Sequence, residues 1–357
     1  LNWSYLTPKK LETFLRKQGL KGNPYTFIHG DLKEFKHIHD VATSKPIGFD
    51  DDFKPRVLGL LFKTINTYGN CSFFWNGTKP VVILTDPEMA KEVFRKTRVY
   101  RKPVNPDPLV RLLASGVLSY EGEKWDKHRK LLNPAFHAEK LKLMVPAFVR
   151  SCEEVLKKWE EEEDEETVDV WPYLHLITSD AISRTAFGSR YEDGRRIFQL
   201  QKEQLQHASK SGSTVYIPGS SFLPTRRNRR MKEIEKEIQL VIRNLIDRRI
   251  KAAESGEAGS DLLGLMLESN FHETRGMKSS FGMSIDEIVE ECKLFYLAGQ
   301  ETTSSLILWT MVLLSRHSEW QQKARAEVLR VFGKEHPNVE GLNHLKIVTM
   351  ILHEVLR

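Results

Sequence analysis

Residues Ser284–His317 read SIDEIVEECKLFYLAGQETTSSLILWTMVLLSRH. Ser284 and Glu287 form the S-x-x-E capping box that opens a helix, and no proline interrupts the stretch from there to His317. Apolar residues surround most of the cylinder, the pattern of a helix running through a core. At its centre stand Ala298, Gly299, Gln300, Glu301, Thr302 and Thr303.

Each of these residue types has a use if a flat ligand lies against the helix. Ala298 and Gly299 remove side-chain bulk and let a macrocycle approach the backbone. Glycine weakens a helix by about 1 kcal/mol relative to alanine, which allows a local widening or bulge there. The Thr302 hydroxyl either bonds back to the preceding turn or donates to a ligand. Glu301 is an acid in an apolar stretch, suited to relaying protons. A transmembrane span would set Glu301 near mid-bilayer at a cost of roughly 2.5 to 3.5 kcal/mol. A buried structural helix with satisfied polar groups uses the same residues without any ligand.

Around this helix the chain reads as mainly helical with a small sheet near its start. Residues 1–50 mix basic, aromatic and turn residues. A helix is predicted from Phe53 to Tyr68, stopped by Gly69. CSFFWNGTKPVVILTD reads as two strands joined at Asn76-Gly77, a strong hairpin signal. Asp86-Pro87 opens a helix through Phe94, and prolines 103, 106 and 108 mark a loop lasting to Leu118. Helices dominate after Gly122. Leu141, Met144, Phe148, Val155 and Trp159 form one apolar stripe, followed by the acidic run Glu160–Glu166, read as a solvated loop. Further helices are predicted in DVWPYLHLITSDAISRTAF, closed by Gly188, along Met231, Ile234, Ile238, Val241, Leu245 and Arg249, and, after a break at Glu254–Ser260, in DLLGLML.

The chain has 357 residues, 54 basic and 48 acidic, for a net charge of +6. That excess is too small for the length to suggest nucleic-acid binding; a membrane surface or an acidic protein partner suits it equally. Cys71, Cys152 and Cys292 fit no zinc spacing and are too few for a disulfide framework. No uncharged apolar run long enough for a membrane span opens the sequence.

Two shorter patterns flank the long helix in sequence. EGEKWDKHRKLLNPAF carries Trp125 and Arg129, four apart and so on one helix face. An indole N–H beside a guanidinium suits a carboxylate, and equally describes a surface arginine packed on a tryptophan. HEVLR carries Glu354 and Arg357, an i,i+3 acid–base pair of a kind common on helices.

Taken in order, W-x-x-x-R, A-G-x-E-T-T and E-x-x-R resemble the motifs of cytochrome P450 monooxygenases. The phrases SDAISRTAFGSRYEDGRRIFQLQKEQ, RRNRRMKEIEKEI and GLNHLKIVTMILHEVLR are similar to the plant seventy-two clan, which contains secologanin synthase. The resemblance covers essentially the whole chain and implies a single P450 domain, residues 1–357. It implies that Trp125 and Arg129 bind the haem b propionates, that Ala298 and Gly299 line the oxygen side of the iron, and that Thr302 with Glu301 delivers protons. Glu354 and Arg357 become a structural pair. The resemblance further implies NADPH-derived electrons from cytochrome P450 reductase, a hydrophobic terpenoid or hormone-like substrate, and residence on the cytosolic face of the endoplasmic reticulum membrane. Lys124, Lys127 and Lys130 then form either a basic face for the reductase or an ordinary solvated one. Substrate contacts are expected at Leu109–Leu118, at Ser209–Ile217 and near Phe295.

Two family parts are not found in the sequence. An N-terminal membrane helix would precede Leu1, and the ligand cysteine lies in an F-x-x-G-x-R-x-C-x-G loop beyond E-x-x-R. None of the three cysteines has that context, and Cys292 reads as a buried core thiol. Thiolate ligation favours O–O cleavage, so this chain alone is expected to be inactive. The competing readings are a non-catalytic truncated product that binds lipid or protein, and a helical interaction protein with fortuitous motifs. Purified as this sequence, the protein is expected to give no thiolate-type Soret shift on reduction under carbon monoxide; a clear shift would overturn that expectation.

Overall fold

The computed structural model describes residues 1–104, 107–113, 115–161, 167–212, 215–256, 259, 261–274 and 282–357, with side chains undescribed at 211–212 and 271–274. Pro106, most of the acidic run (162–166), part of the break at 254–260, and residues 114 and 211–214 of the expected substrate-contact segments therefore lie wholly or in their side chains outside the described residues. The chain forms two compact units, Leu1–Arg111 with Leu205–Arg229, and Leu112–Gln204 with Arg230–Arg357.

The first unit opens with a five-residue π-type turn, Asn2–Leu6, and α1 (Thr7–Lys17), so the mixed N-terminal stretch is more helical than its composition suggested. β1 (Lys21–Gly22) pairs parallel with β2 (Cys71–Asn76), which pairs antiparallel with β3 (Lys79–Leu84). The hairpin is where the sequence put it, but Asn76 faces Lys79 across the ladder. The two turn residues are thus Gly77 and Thr78, and Gly77 takes the positive φ of 60° that a first turn position of this kind requires. Tyr25, Phe73 and Trp75 form the small core beneath the sheet, and the Trp75 indole N–H donates to Asn23 O at 3.1 Å. α2 (Leu32–Thr43) is followed by α3 (Lys54–Val57) and α4 (Gly59–Tyr68), two helices where one was predicted. They part at Leu58, and Gly59 lies so close to Ile38 of α2 that a Cβ would stand 2.3 Å from its Cγ2. α5 (Pro87–Arg95) is capped by Asp86, which accepts from Met89 N at 2.8 Å, and α6 (Pro108–Arg111) is a single turn within the predicted loop.

The second unit is almost wholly helical. α7 (Gly122–Leu132), α8 (Ala138–Lys142), α9 (Val145–Glu161) and α10 (Val170–Phe187) lead to α11 (Tyr191–Gly212) and α12 (Arg226–Glu254), each of which contributes residues to both units. α13 (Leu262–Thr274), α14 (Ile285–Arg316), α15 (Ser318–Phe332), α16 (Val339–Asn343) and α17 (Lys346–Leu356) complete it. The stripe from Leu141 to Trp159 is divided between α8 and α9, and Val155 is its fully buried member, whereas Leu141 and Phe148 stay exposed. α12 behaves as its pattern predicts: Met231, Ile234 and Ile238 are wholly buried, and Arg249 pairs with Asp261.

α14 is the spine of this unit, and α10 lies closest to it. On α10, Thr178, Ser179 and Ser183 are small and buried, and the hydroxyls of Thr178 and Ser183 donate to carbonyls of their own helix (Leu174 O at 3.1 Å, Ser179 O at 2.7 Å). That self-satisfaction lets a polar face pack without unpaired donors. Gly299 meets this face at Ile182, where an added Cβ would lie 2.6 Å from Cγ1. Among the described residues no helix is long and apolar enough to cross a membrane. Gly299→Ala should lower the unfolding free energy by about 1 to 3 kcal/mol, the range for overpacking a core contact, and Ile182→Ala in the same chain should return part of it. Denaturant unfolding measures both.

Candidate functional site

The capping box forms as its spacing predicts: Ser284 Oγ accepts from Glu287 N and Glu287 Oε2 accepts from Ser284 N, both at 3.2 Å. From there α14 is regular through residues 298–303. The expected bulge is not present, and the hydroxyls of this stretch bond back to carbonyls of their own helix. Thr302 Oγ1 donates to Ala298 O at 2.7 Å, Ser304 Oγ to Gln300 O at 2.9 Å and Ser305 Oγ to Glu301 O at 2.8 Å.

The central motif divides between two faces. Gly299 and Gln300 turn to α10, where Gln300 Nε2 donates to Ser179 Oγ at 2.8 Å. The missing side chain of Gly299 thus serves helix packing against Ile182. Ala298 and Thr302, one turn apart, are exposed. Trp309, two turns further on, is 57% exposed, so this open side of α14 is a stripe that carries Ala298 and Trp309 with the Thr302 and Ser305 hydroxyls between them. Glu301 is half-buried, and its charge acts on His175 of α10, whose pKa is lowered by burial despite that charge.

The stripe runs toward a cleft of about 470 Å³ lined by Leu313, Leu314, His317, Trp320, Met350 and Glu354, among others. In its wall Arg357 Nη2 donates to Glu354 Oε1 at 2.6 Å, so the E-x-x-R residues do pair, on the surface of α17. α17 is held from outside: Glu327 of α15 accepts from Ile347 N (2.9 Å) and Val348 N (3.1 Å). Burial works against that carboxylate's charge, but the three backbone N–H groups around it, with Arg330, outweigh burial and lower its pKa.

Trp125 (38% exposed) and Arg129 both lie on the outer side of α7. Between them His128 points inward and is fully buried, its Nδ1 donating to Glu291 Oε1 at 2.6 Å, with Glu291 equally buried. α7 thus meets α14 at residues 287–291. Thr302 stands 11 residues beyond Glu291, about 16 Å along the helix axis. Lys124 and Lys127 of the expected basic face reach Glu287 at 3.3 and 3.5 Å and so are engaged within the unit. Phe295, expected near substrate, stacks on Phe136 with ring centroids 5.8 Å apart. Cys292 is fully buried in the main core, and burial, with Glu291 beside it, pushes its thiol pKa far up; the core-thiol reading is borne out.

Sequence reasoning missed His128 and Glu291, and with them a second buried ion set. Lys293, 1% exposed, donates to Glu235 of α12 (2.8 Å) and to Glu290 (3.1 Å), while Ser115 Oγ also donates to Glu290. The signal was present: Glu290, Glu291 and Lys293 stand among Ile288, Val289, Cys292 and Leu294 in one helix, and charges in such a place must be paired.

The sequence profile of the family described as cytochrome P450 matches residues 55–357. The chain is 52% identical over 362 residues to cytochrome P450 CYP72A219 of Panax ginseng, covering 100% of this chain and 70% of that protein. It is 50% identical over 362 residues to cytochrome P450 72A15 of Arabidopsis thaliana and 50% identical over 364 residues to secologanin synthase 1 of Catharanthus roseus, again covering 100% of this chain and 70% of each relative.

Glu287 gives the site's contact with α7 a definite acid dependence. Burial raises its pKa, but the Ser284 N–H, Lys124 and Lys127 outweigh burial and bring it from the ordinary 4.5 to about 2. A depressed carboxylate contributes stability that is fully present above about pH 4.5 and lost as pH falls through about 2. Glu287→Gln is expected to flatten the slope of unfolding free energy against pH across that window, read by denaturant unfolding at stepped pH.

Proposed function

The chain belongs to the cytochrome P450 family, and on that premise we propose that the whole protein hydroxylates a hydrophobic small molecule of terpenoid or hormone-like class. The observation that carries the reading is the open face of α14, where Ala298 and Thr302 lie exposed while Gly299 and Gln300 of the same motif pack on α10. A flat apolar ring suits such a face, and the exposed Arg129 guanidinium is the donor type that takes a carboxylate bidentately. These residues fit haem b: Trp125 and Arg129 would hold its carboxylates, and Ala298 and Thr302 would face its ring. When bound, the haem supplies activation of dioxygen at its iron, with electrons from NADPH through cytochrome P450 reductase. Thr302 holds a hydroxyl at the open face, and Glu301, the next residue back, supplies a titratable carboxylate within the same turn.

The thiolate ligand is assigned to the family's cysteine loop, outside residues 1–357, and this chain alone is proposed to be inactive. Supporting this, Cys292 is enclosed in the core with its thiol pKa raised, and neither Cys71 nor Cys152 has the sequence context of that loop. We also assign the protein to the cytosolic face of the endoplasmic reticulum membrane. Leu1, Trp3 and Phe14 are exposed among Lys9, Lys10 and Lys17 in the first unit, as is Phe222 in its second segment; apolar and basic residues interleaved in this way suit a lipid surface.

In the full-length, haem-loaded protein, Thr302→Ala should lower the yield of hydroxylated product per NADPH consumed several-fold, the difference appearing as peroxide or water. Unchanged coupling would reject the role given to Thr302.

A further inference from the structure

α7 is fixed to the core of its unit by a buried polar bond. His128 and Glu291 each have 0% side-chain exposure and meet at 2.6 Å. Other groups face the imidazole as well. Nε2 lies 3.5 Å from Glu287 Oε1, and the Tyr120 ring stands edge-on with centroids 4.7 Å apart and planes at 70°. Lys124, 4.0 Å from the centre of the Tyr120 ring, also reaches Glu287, as does Lys127. Glu291 has its own cradle. Gly116 takes a φ of +74°, and a Cβ there would lie 2.7 Å from Glu291 Oε2, so the segment ahead of α7 closes over the carboxylate only because residue 116 has no side chain.

The place of His128 within α7 gives this bond its meaning. Successive helical residues are about 100° apart around the axis. Trp125 therefore lies about 60° to one side of His128 and Arg129 about 100° to the same side, so these two side chains point within about 40° of each other. A hydrogen bond that fixes the direction of His128 fixes the roll of α7, and hence the direction of both neighbours. An apolar contact would hold the helix down without setting its roll, because burial is non-directional. A buried ion pair gives little net stability over an apolar pair of equal volume, so its contribution here is direction.

We propose that His128 and Glu291 are positioning residues that hold Trp125 and Arg129 in the direction needed to bind the haem carboxylates. The inference rests on the function proposed above, and its test separates the two. Haem loss from the full-length, haem-loaded protein is followed by transfer to excess apomyoglobin, with folding checked by circular dichroism. Arg129→Ala should accelerate haem loss; if it does not, the proposed haem contact fails, whatever His128 does. The apolar pair His128→Phe/Glu291→Leu keeps the site filled but removes the directional bond, and should accelerate haem loss on the order of tenfold, the low end of what losing an outer partner costs a bound group. Glu291→Gln retains an acceptor for Nδ1–H and should stay within about threefold of the parent. If Arg129→Ala loses haem quickly while the apolar pair does not, the positioning role is overturned. It is equally overturned if Glu291→Gln loses haem as fast as the apolar pair, since charge rather than direction would then matter. Should the apolar pair fail to fold, His128→Asn, too short to reach Glu291 at the same distance, replaces it with the same expected outcomes.

Discussion

A helix that is enclosed on most of its circumference, yet carries Glu287, Glu290, Glu291 and Lys293 in its opening turns, must bring counter-charges with it. An ionised group moved into a low-dielectric interior without a partner costs several kcal/mol. α14 meets that requirement from three directions. α7 supplies His128, Lys124 and Lys127; α12 supplies Glu235; and Ser115, ahead of α7, donates to Glu290. Each pairing ties a different segment to the same few turns. The architecture of the second unit near the start of α14 follows from this need for neutralisation as much as from apolar burial.

Further along, the constraint changes character. Around Gly299 the helix needs close approach, which a glycine on α14 and the small residues of α10 provide. The same stretch leaves Ala298 and Thr302 uncovered on another side. One short motif therefore serves two ends at once. Gly299 and Gln300 join helices, while Ala298 and Thr302 remain available to a ligand. That division explains why a change at Gly299 and a change at Thr302 should be felt in different measurements, stability in one case and chemistry in the other.

Much of this was legible in the sequence, for physical reasons that vary by element. The β2–β3 hairpin, the capping box at Ser284, the buried stripe of α12 and the glycine stop after α10 are local features, set by turn geometry, capping and periodicity. The family resemblance was legible because three motifs occur in order. What could not be read is mostly tertiary. The break at Leu58 depends on Ile38 lying against Gly59, whereas the N-terminal helices α1 and α2 are amphipathic and their stripes were passed over in a stretch taken only as mixed. The contact of Gly299 with α10 could not be read because a missing side chain looks alike whether it admits a ligand or a neighbouring helix. His128 was overlooked between two more conspicuous residues, although a histidine flanked by lysines and an arginine on an amphipathic helix is informative once its inward direction is known.

The hydrogen bond from Thr302 to the Ala298 carbonyl limits what that side chain can offer. A threonine hydroxyl has one proton to give, and here it is already engaged along the helix. As it stands, the residue can only receive from whatever lies beside α14. A helical threonine divides between two χ1 rotamers because its hydroxyl can reach back to the preceding turn. Thr302 is accordingly a two-position rotor, whose setting is a contest between its own helix and an occupant of the open face.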